Sequence, residues 1–432
     1  MIPTWLSGLL LLAPQAGDLV AIRVLRAETG VGAAIEHALI LVENGKITEI
    51  GEDLPVERGI RVLAHEDWIA TPGLINAHTR IGLERTSSRG FDPSLSPKSE
   101  IDPRNDAWKE LLELGVTTLG IYPDGQGIPG QAVIVRPHGD TLEEMLVSES
   151  AYLKIYLQAN ASSKKALREA FSKVDEYDEK VAKEKEKWDK EQEKKKKSSK
   201  SSAKDEKGKD EKKEEVKEEK KEGALPQEEE KKDEKGADTF VPPVPDERVK
   251  PFLDLRHKKL SALFSLRKAA DYLHLLDVIE KEKELDYFLQ FPLYDDCDFY
   301  EIVKQLGEAK KLTLTVPELT LQQNSLRDRN IPAELVRAGA HVALMPRTDT
   351  LNGYRDWLPD VGRLVAQGLA RESALAAVTI EQARALGIEE TTGSLEKGKE
   401  ADIVFWSGDP LEPSSRVMAV MLDGKFVHGD VQ

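Results

Sequence analysis

His78 and Arg80, in the segment TPGLINAHTR, are the first residues whose types and spacing could carry chemistry. Side chains two positions apart on a strand project to the same side, so both would face one site. A neutral imidazole can bind a divalent cation, whereas a guanidinium has no lone pair to donate and repels such an ion. A guanidinium can instead bind a carboxylate or phosphate through two parallel hydrogen bonds. The pair therefore leaves two kinds of ligand to consider, a divalent cation bound by the imidazole and an anion bound by the guanidinium.

Other metal-binding side chains are scarce in the sequence. The chain has eight histidines and one cysteine, Cys297, so it can form neither an intrachain disulfide nor a cysteine metal cluster. A metal would need His, Asp, Glu or a modified Lys as ligands. The other histidines show no ligand spacing and are interpreted as structural or surface residues: His37, His65, His138, His257, His274, His341 and His428.

Both ends of the chain have the alternating pattern of β-strands. Asn44-Gly45 lies between two such strands near the start, and Asp423-Gly424 lies between two near the end. Both dipeptides favour two-residue hairpin turns. We therefore predict a small β-sandwich built from residues 18–70 and 397–432.

The centre of the chain alternates short apolar runs with amphipathic helices. VTTLGIYP, LTLTVP and HVALMP have the character of strands, and NDAWKELLELG, AELVRAG and SALAAVTIEQARALG that of helices. This alternation favours a parallel sheet, and its length favours an α/β fold of the (β/α)8 TIM-like barrel type. The predicted barrel halves are residues 71–174 and 241–396, the latter including the closing helices. His78 would then lie at the carboxyl end of the first barrel strand, where such barrels carry their sites.

A charged low-complexity segment, 175–240, separates the two predicted halves. It consists mostly of Lys, Glu, Asp, Ser and Gly and cannot bury enough apolar area to fold, so we predict a disordered insertion. Its first part, which includes Tyr177, Val181 and Trp188, could extend the preceding helix as a solvated rod. A tolerated loop insertion is the preferred interpretation, and a flexible docking arm is the alternative.

The first residues resemble a leader for export. An apolar run from Trp5 to Leu12 precedes small residues at Ala16 and Gly17, which predicts a secretory signal peptide over 1–17. The region before the run lacks Lys and Arg, so a first strand or buried arm is the alternative. No other apolar stretch is long enough to cross a membrane.

The overall charge bears on the class of partner. The formal net charge is −16, and acidic residues cancel the lysines of the insertion, so the composition argues against nucleic-acid binding. A small-molecule substrate, an anion or a protein partner remains.

Three ordered motifs carry a resemblance to the amidohydrolase superfamily. TPGLINAHTR resembles its first-strand motif, which ends in two histidines separated by one residue. SALAAVTIEQARALGIEETTGSLEKGKEADIVFWSGDP looks like its closing signature, and GVTTLGIYPDGQGIPGQAVIVRPHGDTLEEM is similar to imidazolonepropionase-like members. The resemblance implies a divalent metal such as zinc, held by those histidines, a carboxylated Lys or a Glu, two later histidines and a catalytic Asp. The metal would activate water to attack a non-peptide carbon–nitrogen bond.

The sequence departs from that plan at several positions. His78 matches the first histidine and Arg80 replaces the second. Lys154 corresponds to the bridging lysine, and Asp349 to the catalytic aspartate about two residues late, although a surface lysine and a helix-capping aspartate are the alternatives. Ser265 or Arg267 occupies the fifth-strand histidine position, and the sixth-strand region contains no histidine.

Two functions follow from these departures. In the first, the chain hydrolyses carbon–nitrogen bonds with a metal-poor site. In the second, it is a catalytically silent relative that binds a small anion or a protein partner, with Arg80 and Arg267 as candidate anion clamps. The missing ligands are the ones that metal-assisted hydrolysis requires, so the residues favour the second.

Overall fold

The computed structural model describes residues 19–52, 54–56, 58–83, 91–205, 239–282, 284–293 and 297–429. The predicted signal peptide over 1–17 lies outside the described residues. Among the described helices, none is both long enough and apolar enough to cross a membrane.

The strands fall into a terminal group and a central group. In chain order they are β1 (Val20–Ala27), β2 (Ile35–Glu36), β3 (Ala38–Glu43), β4 (Lys46–Glu52), β5 (Arg61–Pro72), β6 (Leu74–Thr79), β7 (Val116–Ile121), β8 (Gly130–Gln131), β9 (Val133–Val135), β10 (Leu146–Ser148), β11 (Tyr152–Tyr156), β12 (Ser261–Ser265), β13 (Tyr287–Gln290), β14 (Leu312–Thr315), β15 (Thr320–Leu321), β16 (Asp328–Arg329), β17 (His341–Leu344), β18 (Ile403–Trp406), β19 (Val417–Leu422) and β20 (Lys425–His428).

The α-helices alternate with the central strands, and one of them is much longer than the rest. In chain order they are α1 (Ala107–Glu113), α2 (Leu142–Met145), α3 (Ala161–Asp205), α4 (Lys250–Arg256), α5 (Ala269–Val278), α6 (Val303–Glu308), α7 (Ile331–Ala338), α8 (Leu351–Ala366), α9 (Arg371–Ala376) and α10 (Ile380–Leu386).

Both ends of the chain contribute to one sheet. Its order is β20-β19-β18-β5-β1-β3-β4, with β2 paired to β1. The two ends meet where β18 pairs antiparallel with β5, at Ile403 opposite Pro72. Buried apolar residues from both halves of this sheet, such as Ile40 and Met421, belong to one cluster. The pairing gives a single sheet and does not by itself divide it into the two layers of the predicted sandwich.

The central strands form two sheets that are parallel at their cores. One has the order β10-β9-β7-β6, with β6 parallel to β7. The other has the order β17-β14-β13-β12-β11-β8, and its strands from β11 to β17 are parallel. The fold is therefore α/β, as predicted from the alternating pattern. Strand pairing alone does not close these sheets into a barrel.

Backbone and side-chain hydrogen bonds connect the outer strands of the two sheets. The Leu344 N–H of β17 donates to the Ala377 carbonyl, and the Ile75 N–H of β6 donates to the Val378 carbonyl. The buried Gln382 amide adds a second bridge: it accepts from the Ala77 N–H at 3.0 Å and donates to the Leu344 carbonyl at 2.7 Å. The segment between α9 and α10 thus holds β6 beside β17.

Replacing Gln382 with Leu is expected to destabilise the protein by about 1–3 kcal/mol, because the buried Ala77 N–H loses its acceptor. Chemical denaturation measures the change in free energy of unfolding. The exposed Gln367 provides a matched control, and Gln367→Leu should shift stability by less than about 0.5 kcal/mol. Equal stability of the two variants would contradict the bridging role.

The first part of 175–240 continues the preceding helix in the structure, as its apolar positions indicated, and disorder of the rest stays a prediction. Helix α3 continues through residue 205, and its early turns are anchored to the rest of the protein. The Tyr177 hydroxyl donates to the Pro243 carbonyl at 2.7 Å, and the Trp188 ring lies 6.1 Å from that of Phe240. Arg256 also binds Asp175 at 2.8 Å. The apolar positions of this stretch therefore extend the preceding helix, and residues 206–238 lie outside the described residues.

Candidate functional site

The candidate site lies at the carboxyl ends of the parallel strands, where side chains from five strands converge. A pocket of about 830 Å³ opens there, and its lining includes His78, Tyr122, Lys154, Ser265 and Gln290. A second pocket of about 320 Å³ shares three of these residues and adds Asp349. Large concave sites with a few convergent polar groups are typical of ligand binding.

Strand register explains why these side chains meet. Tyr156 on β11 is opposite Ser265 on β12, and Ser265 is opposite Gln290 on β13. Paired residues on parallel strands project to the same face, so the three form one layer across the pocket. Lys154 is two residues before Tyr156 and projects to that same face. The layer contains a hydroxyl and an amide where the resemblance predicted histidines.

Lys154 and His78, predicted from the sequence as residual metal ligands, contact each other directly. The Lys154 Nζ is hydrogen-bonded to the His78 Nε2, and it lies 3.5 Å from the centre of the Tyr122 ring. The His78 ring stacks on Tyr122 at 4.1 Å between centroids. Burial lowers the pKa of Lys154 well below its usual value. Burial and the nearby Lys154 also hold the pKa of His78 well below its usual value, which favours a neutral imidazole.

Asp349 lies immediately before helix α8 and is positioned by a chain of hydrogen bonds. The Asn76 amide donates to the Tyr354 hydroxyl at 2.7 Å, which donates to the Thr79 hydroxyl at 3.0 Å, which in turn donates to the Asp349 carboxylate. The Arg80 N–H also donates to this carboxylate, at 2.6 Å. Although the residue as a whole is exposed, burial of the carboxylate raises the pKa of Asp349.

The turn that carries Asp349 is tightly packed. Thr350 caps helix α8 by accepting a hydrogen bond from the Gly353 N–H, so the alternative reading of Asp349 as the cap residue is not what the geometry shows. A side chain at Gly353 would lie 2.1 Å from the Thr348 carbonyl, so only glycine permits this approach. The carboxylate is therefore held in one direction.

Arg80 and Arg267 do not form one clamp. The Arg80 guanidinium is paired with Asp124, with its Nη1 3.2 Å from the Asp124 Oδ2, and it is absent from the lining of both pockets. Its Nε and Nη2 are buried and have no hydrogen-bond partner among the described residues. Arg267 is exposed and lines the larger pocket, while its own N–H donates to Asp271. Of the two arginines, Arg267 is the one that lines the larger pocket.

The donor set does not fit the divalent metal that the resemblance implies. Across the part of the chain that the structure describes, no three His, Cys, Asp or Glu side chains are grouped so that they could hold a metal ion. The His78 Nε2 is hydrogen-bonded to the Lys154 amine, and the Arg80 cation lies close enough to lower the pKa of Lys154 further. A catalytic zinc ordinarily needs three protein ligands, which these residues do not supply.

Several members of the site were not singled out from the sequence. Gln290 carries no motif of its own, and only the register of β12 and β13 reveals that it shares a layer with Ser265. Tyr122 and Tyr354 look like ordinary core aromatics in the sequence. The strand-end position of Tyr122, two residues before Asp124 in the loop IYPDGQG, was the available signal for it.

Comparison with known sequences finds a match to one family profile and short regions of closer similarity to individual proteins. Residues 268–427 match the sequence profile of the Amidohydrolase family. Imidazolonepropionase of Acinetobacter baumannii is 41% identical over 87 residues, which cover 19% of this chain and 21% of that protein. Imidazolonepropionase of Erwinia tasmaniensis is 56% identical over 39 residues, 9% of this chain and 10% of that protein. The matched part spans about a quarter or less of the length of these curated relatives.

Solved structures extend the similarity to the whole fold. An amidohydrolase from Thermotoga maritima MSB8 superposes with a TM-score of 0.71 at 22% identity, covering 95% of this chain and 100% of that one. A Xaa-Pro dipeptidase with methionine bound in its active site gives a TM-score of 0.51 at 12% identity, with coverage of 95% and 100%. At these identities the likeness concerns the fold alone. Taken with the sequence match over 268–427, it supports the resemblance of this chain to the amidohydrolase superfamily and to its imidazolonepropionase-like members.

Proposed function

We propose that this protein binds a small anionic molecule in the larger pocket and does so without a divalent metal. The observation that carries the proposal is the charge of the pocket lining. Among the described residues its lining includes the basic side chains of Arg267, Lys154 and His78, of which the exposed Arg267 is the permanent cation, and no Asp or Glu lines it. In a chain with a net charge of −16, a pocket without carboxylates favours an anion.

The polar groups of the pocket suit a carboxylate or a phosphate. Arg267 offers a planar set of donors at the rim, which matches such anions in two-bond geometry. Ser265 has a buried hydroxyl that has no partner among the described residues. The lining also includes aromatic and apolar residues such as Phe91 and Pro292, so the ligand would combine an anionic group with a small apolar body.

The proposal includes closure of the two central sheets into a (β/α)8 barrel. The bridges from Gln382 and from the Val378 carbonyl between β6 and β17 support it, as does the fold of the Thermotoga maritima amidohydrolase. Barrel closure would bring the strand ends of His78 and Asp349 to the same mouth as Lys154, which agrees with the contacts described above.

Hydrolysis of a non-peptide carbon–nitrogen bond is the second candidate. The Asp349 carboxylate favours it, because a carboxyl group with a raised pKa beside a pocket is a candidate proton acceptor or donor. The names of the curated relatives point the same way. This candidate requires a way to activate water without a divalent metal, because the described residues do not form a metal site.

Thermal unfolding with added ligands tests the first proposal. Malonate and phosphate at millimolar concentration should raise the melting temperature, and the uncharged malonamide should not. Arg267→Gln is expected to weaken malonate binding by about tenfold or more, the loss of one charge-assisted contact. Arg347, which pairs with Glu318 beside the smaller pocket, provides the control, and Arg347→Gln should leave malonate affinity unchanged.

Two outcomes would count against anion binding. One is the absence of a melting-temperature shift with any carboxylate or phosphate. The other is zinc-dependent hydrolysis of amide-like compounds that is lost in Asp349→Asn, which would establish the second candidate instead.

A further inference from the structure

We infer that the anion bound in the larger pocket is a phosphate monoester whose phosphate lies against the amino-terminal end of helix α3. The inference rests on the proposed anion binding, and it adds the class of the ligand and the position of its charged group. Neither the family profile nor the relatives' names assign a phosphate site to this part of the fold.

The first turn of α3 forms part of the wall of the larger pocket. Asn160, Ser162 and Ser163 line the pocket where the helix begins. The first four N–H groups of a helix have no partner within it. The Asn160 side-chain oxygen accepts from the Ser163 N–H at 2.8 Å, whereas the Ser162 N–H has no partner among the described residues. Because the first turn carries no acidic side chain, its partial positive charge favours an anion from the pocket.

Ser265 provides a second and independent donor in the same pocket. The residue is only 5% exposed, and it lines the pocket from the carboxyl end of β12. Its hydroxyl is buried and has no hydrogen-bond partner among the described residues. A buried hydroxyl without a partner costs free energy, so a ligand oxygen that accepts from it would bind more tightly.

Hydrogen bonds hold the start of α3 against the segment that carries Ser265 and Arg267. The Leu157 N–H donates to the Ser265 carbonyl at 3.1 Å. Asp271 accepts from the Ala159 N–H at 2.7 Å and, through its other oxygen, from the Arg267 N–H at 2.9 Å. Asp271 itself is 3% exposed and is not among the residues that line the pocket, so these N–H groups bind its charge. The helix end, the Ser265 hydroxyl and the Arg267 side chain therefore belong to one corner of the pocket.

Three donors on three separate elements favour a phosphate over a carboxylate. The Ser162 N–H belongs to the helix end, the Ser265 hydroxyl to the strand end and the Arg267 guanidinium to the loop that follows it. A phosphate monoester has three terminal oxygens and nearly two negative charges at neutral pH. A carboxylate has two oxygens in one plane and a single charge. The monoester can thus accept from all three donors, and the apolar residues of the lining would contact its organic part.

Calorimetric titration of the full-length protein with phenyl phosphate and with benzoate tests the inference, because the two probes share a ring and differ in the anionic group. Phenyl phosphate should bind at least about tenfold more tightly, since it gains a further charge-assisted hydrogen bond. Inorganic phosphate should bind more weakly than phenyl phosphate, because it lacks the apolar part. Equal affinities for phenyl phosphate and benzoate would overturn the inference, and inorganic phosphate that binds as tightly as phenyl phosphate would overturn the assignment to an ester.

A carboxylate introduced at the helix end separates binding from folding. Ser162→Asp should weaken the binding of phenyl phosphate by about tenfold or more through repulsion, whereas the melting temperature of the unliganded protein should stay the same or rise, because an acidic side chain is favourable in the first turn. Ser172→Asp is the matched control. It adds the same charge at an exposed position of α3, about 15 Å further along the helix, and should leave the affinity unchanged. Equal affinities of the two variants would overturn the inference.

Ser265→Ala tests the second donor. The affinity for phenyl phosphate should fall about fivefold, and the melting temperature of the unliganded protein should not change, because no protein group loses a hydrogen bond. An unchanged affinity would place the phosphate away from Ser265 and would overturn the inference. If malonate raises the melting temperature but phenyl phosphate binds no more tightly than benzoate, only this inference fails. If malonate, phosphate and phenyl phosphate all fail to bind, the proposed anion binding fails with it.

Discussion

The double variant Arg80→His with Lys154→Glu is expected to bind about one zinc ion per chain, whereas the unchanged protein should retain almost none after dialysis. Two substitutions suffice because each replaces a basic side chain that does not bind zinc here with a side chain that can bind it. The imidazole introduced at position 80 would face the same side as His78, two positions earlier. The glutamate would also release the His78 Nε2 from its contact with the Lys154 amine.

The change in charge explains why the double variant should gain so much zinc affinity. Near His78 the unchanged site presents a guanidinium and an amine, and the nearby Asp349 carboxylate is already occupied by Thr79 and the Arg80 N–H. In the double variant, two imidazoles and two carboxylates would surround the same space, which exceeds the three protein ligands of a catalytic zinc site. Elemental analysis by mass spectrometry measures the zinc content.

The control removes one ligand from the engineered set. Adding His78→Ala to the double variant should reduce zinc content several-fold while the melting curve shows that the protein still folds. Stoichiometric zinc in the unchanged protein, lost in His78→Ala, would mean that the cations at positions 80 and 154 do not block the site, and the metal-free proposal would be wrong.

Periodic patterns in the sequence predicted the strands and helices better than the contacts that join the two central sheets. The alternation of strands and helices specifies an α/β fold because each pattern is local, and it located β7, β14 and β17. The bridge by Gln382 joins segments more than 300 residues apart, and nothing local in the sequence signals it. Composition alone also does not specify how far the preceding helix continues into the charged segment, which it does through residue 205. Composition ignores the few anchoring contacts, such as that of Tyr177 with Pro243, that accompany the continued helix.

Residue chemistry predicted part of the candidate site. The lone-pair argument for Arg80 indicated a site unsuited to a metal, and the structure adds the contact between Lys154 and His78. The role suggested for Arg80 in binding an anion depended on an open guanidinium, and the nearby Asp124 could not be known as its partner from spacing. Gln290 enters the site through strand register, which a single sequence does not specify.

Replacing Arg136 with Met is expected to destabilise the protein by about 3 kcal/mol at neutral pH. Arg136 follows β9 and binds the segment before β18, so it joins the terminal sheet to the central strands. Its guanidinium contacts Glu400, lies 3.2 Å from Asp402 and 3.6 Å from Asp423. The Asp402 side chain is 1% exposed, and methionine would leave its charge buried without the cation.

An exposed ion pair provides the control. Arg355→Met, which breaks the pair with Glu110, should lower the free energy of unfolding by less than about 1 kcal/mol.

The pH dependence distinguishes loss of the ion pair from loss of packing. Burial raises the pKa of Asp402 above its ordinary value, and Arg136 opposes that rise. When folding raises the pKa of a carboxyl group, the folded protein holds that proton more tightly than the unfolded chain. The free energy of unfolding therefore decreases as the pH rises from the unfolded pKa to the folded pKa. Without Arg136 that pKa rises further. The penalty of Arg136→Met should therefore be smaller at about pH 4 than at about pH 7, because the raised pKa of Asp402 favours its protonated, uncharged form as the pH falls. Denaturation curves at both pH values measure it. Adding Asp402→Asn should recover part of the lost stability at neutral pH, because the amide carries no charge to bury. If the penalty is the same at both pH values and Asp402→Asn does not relieve it, the loss of stability comes from packing of the arginine stem instead.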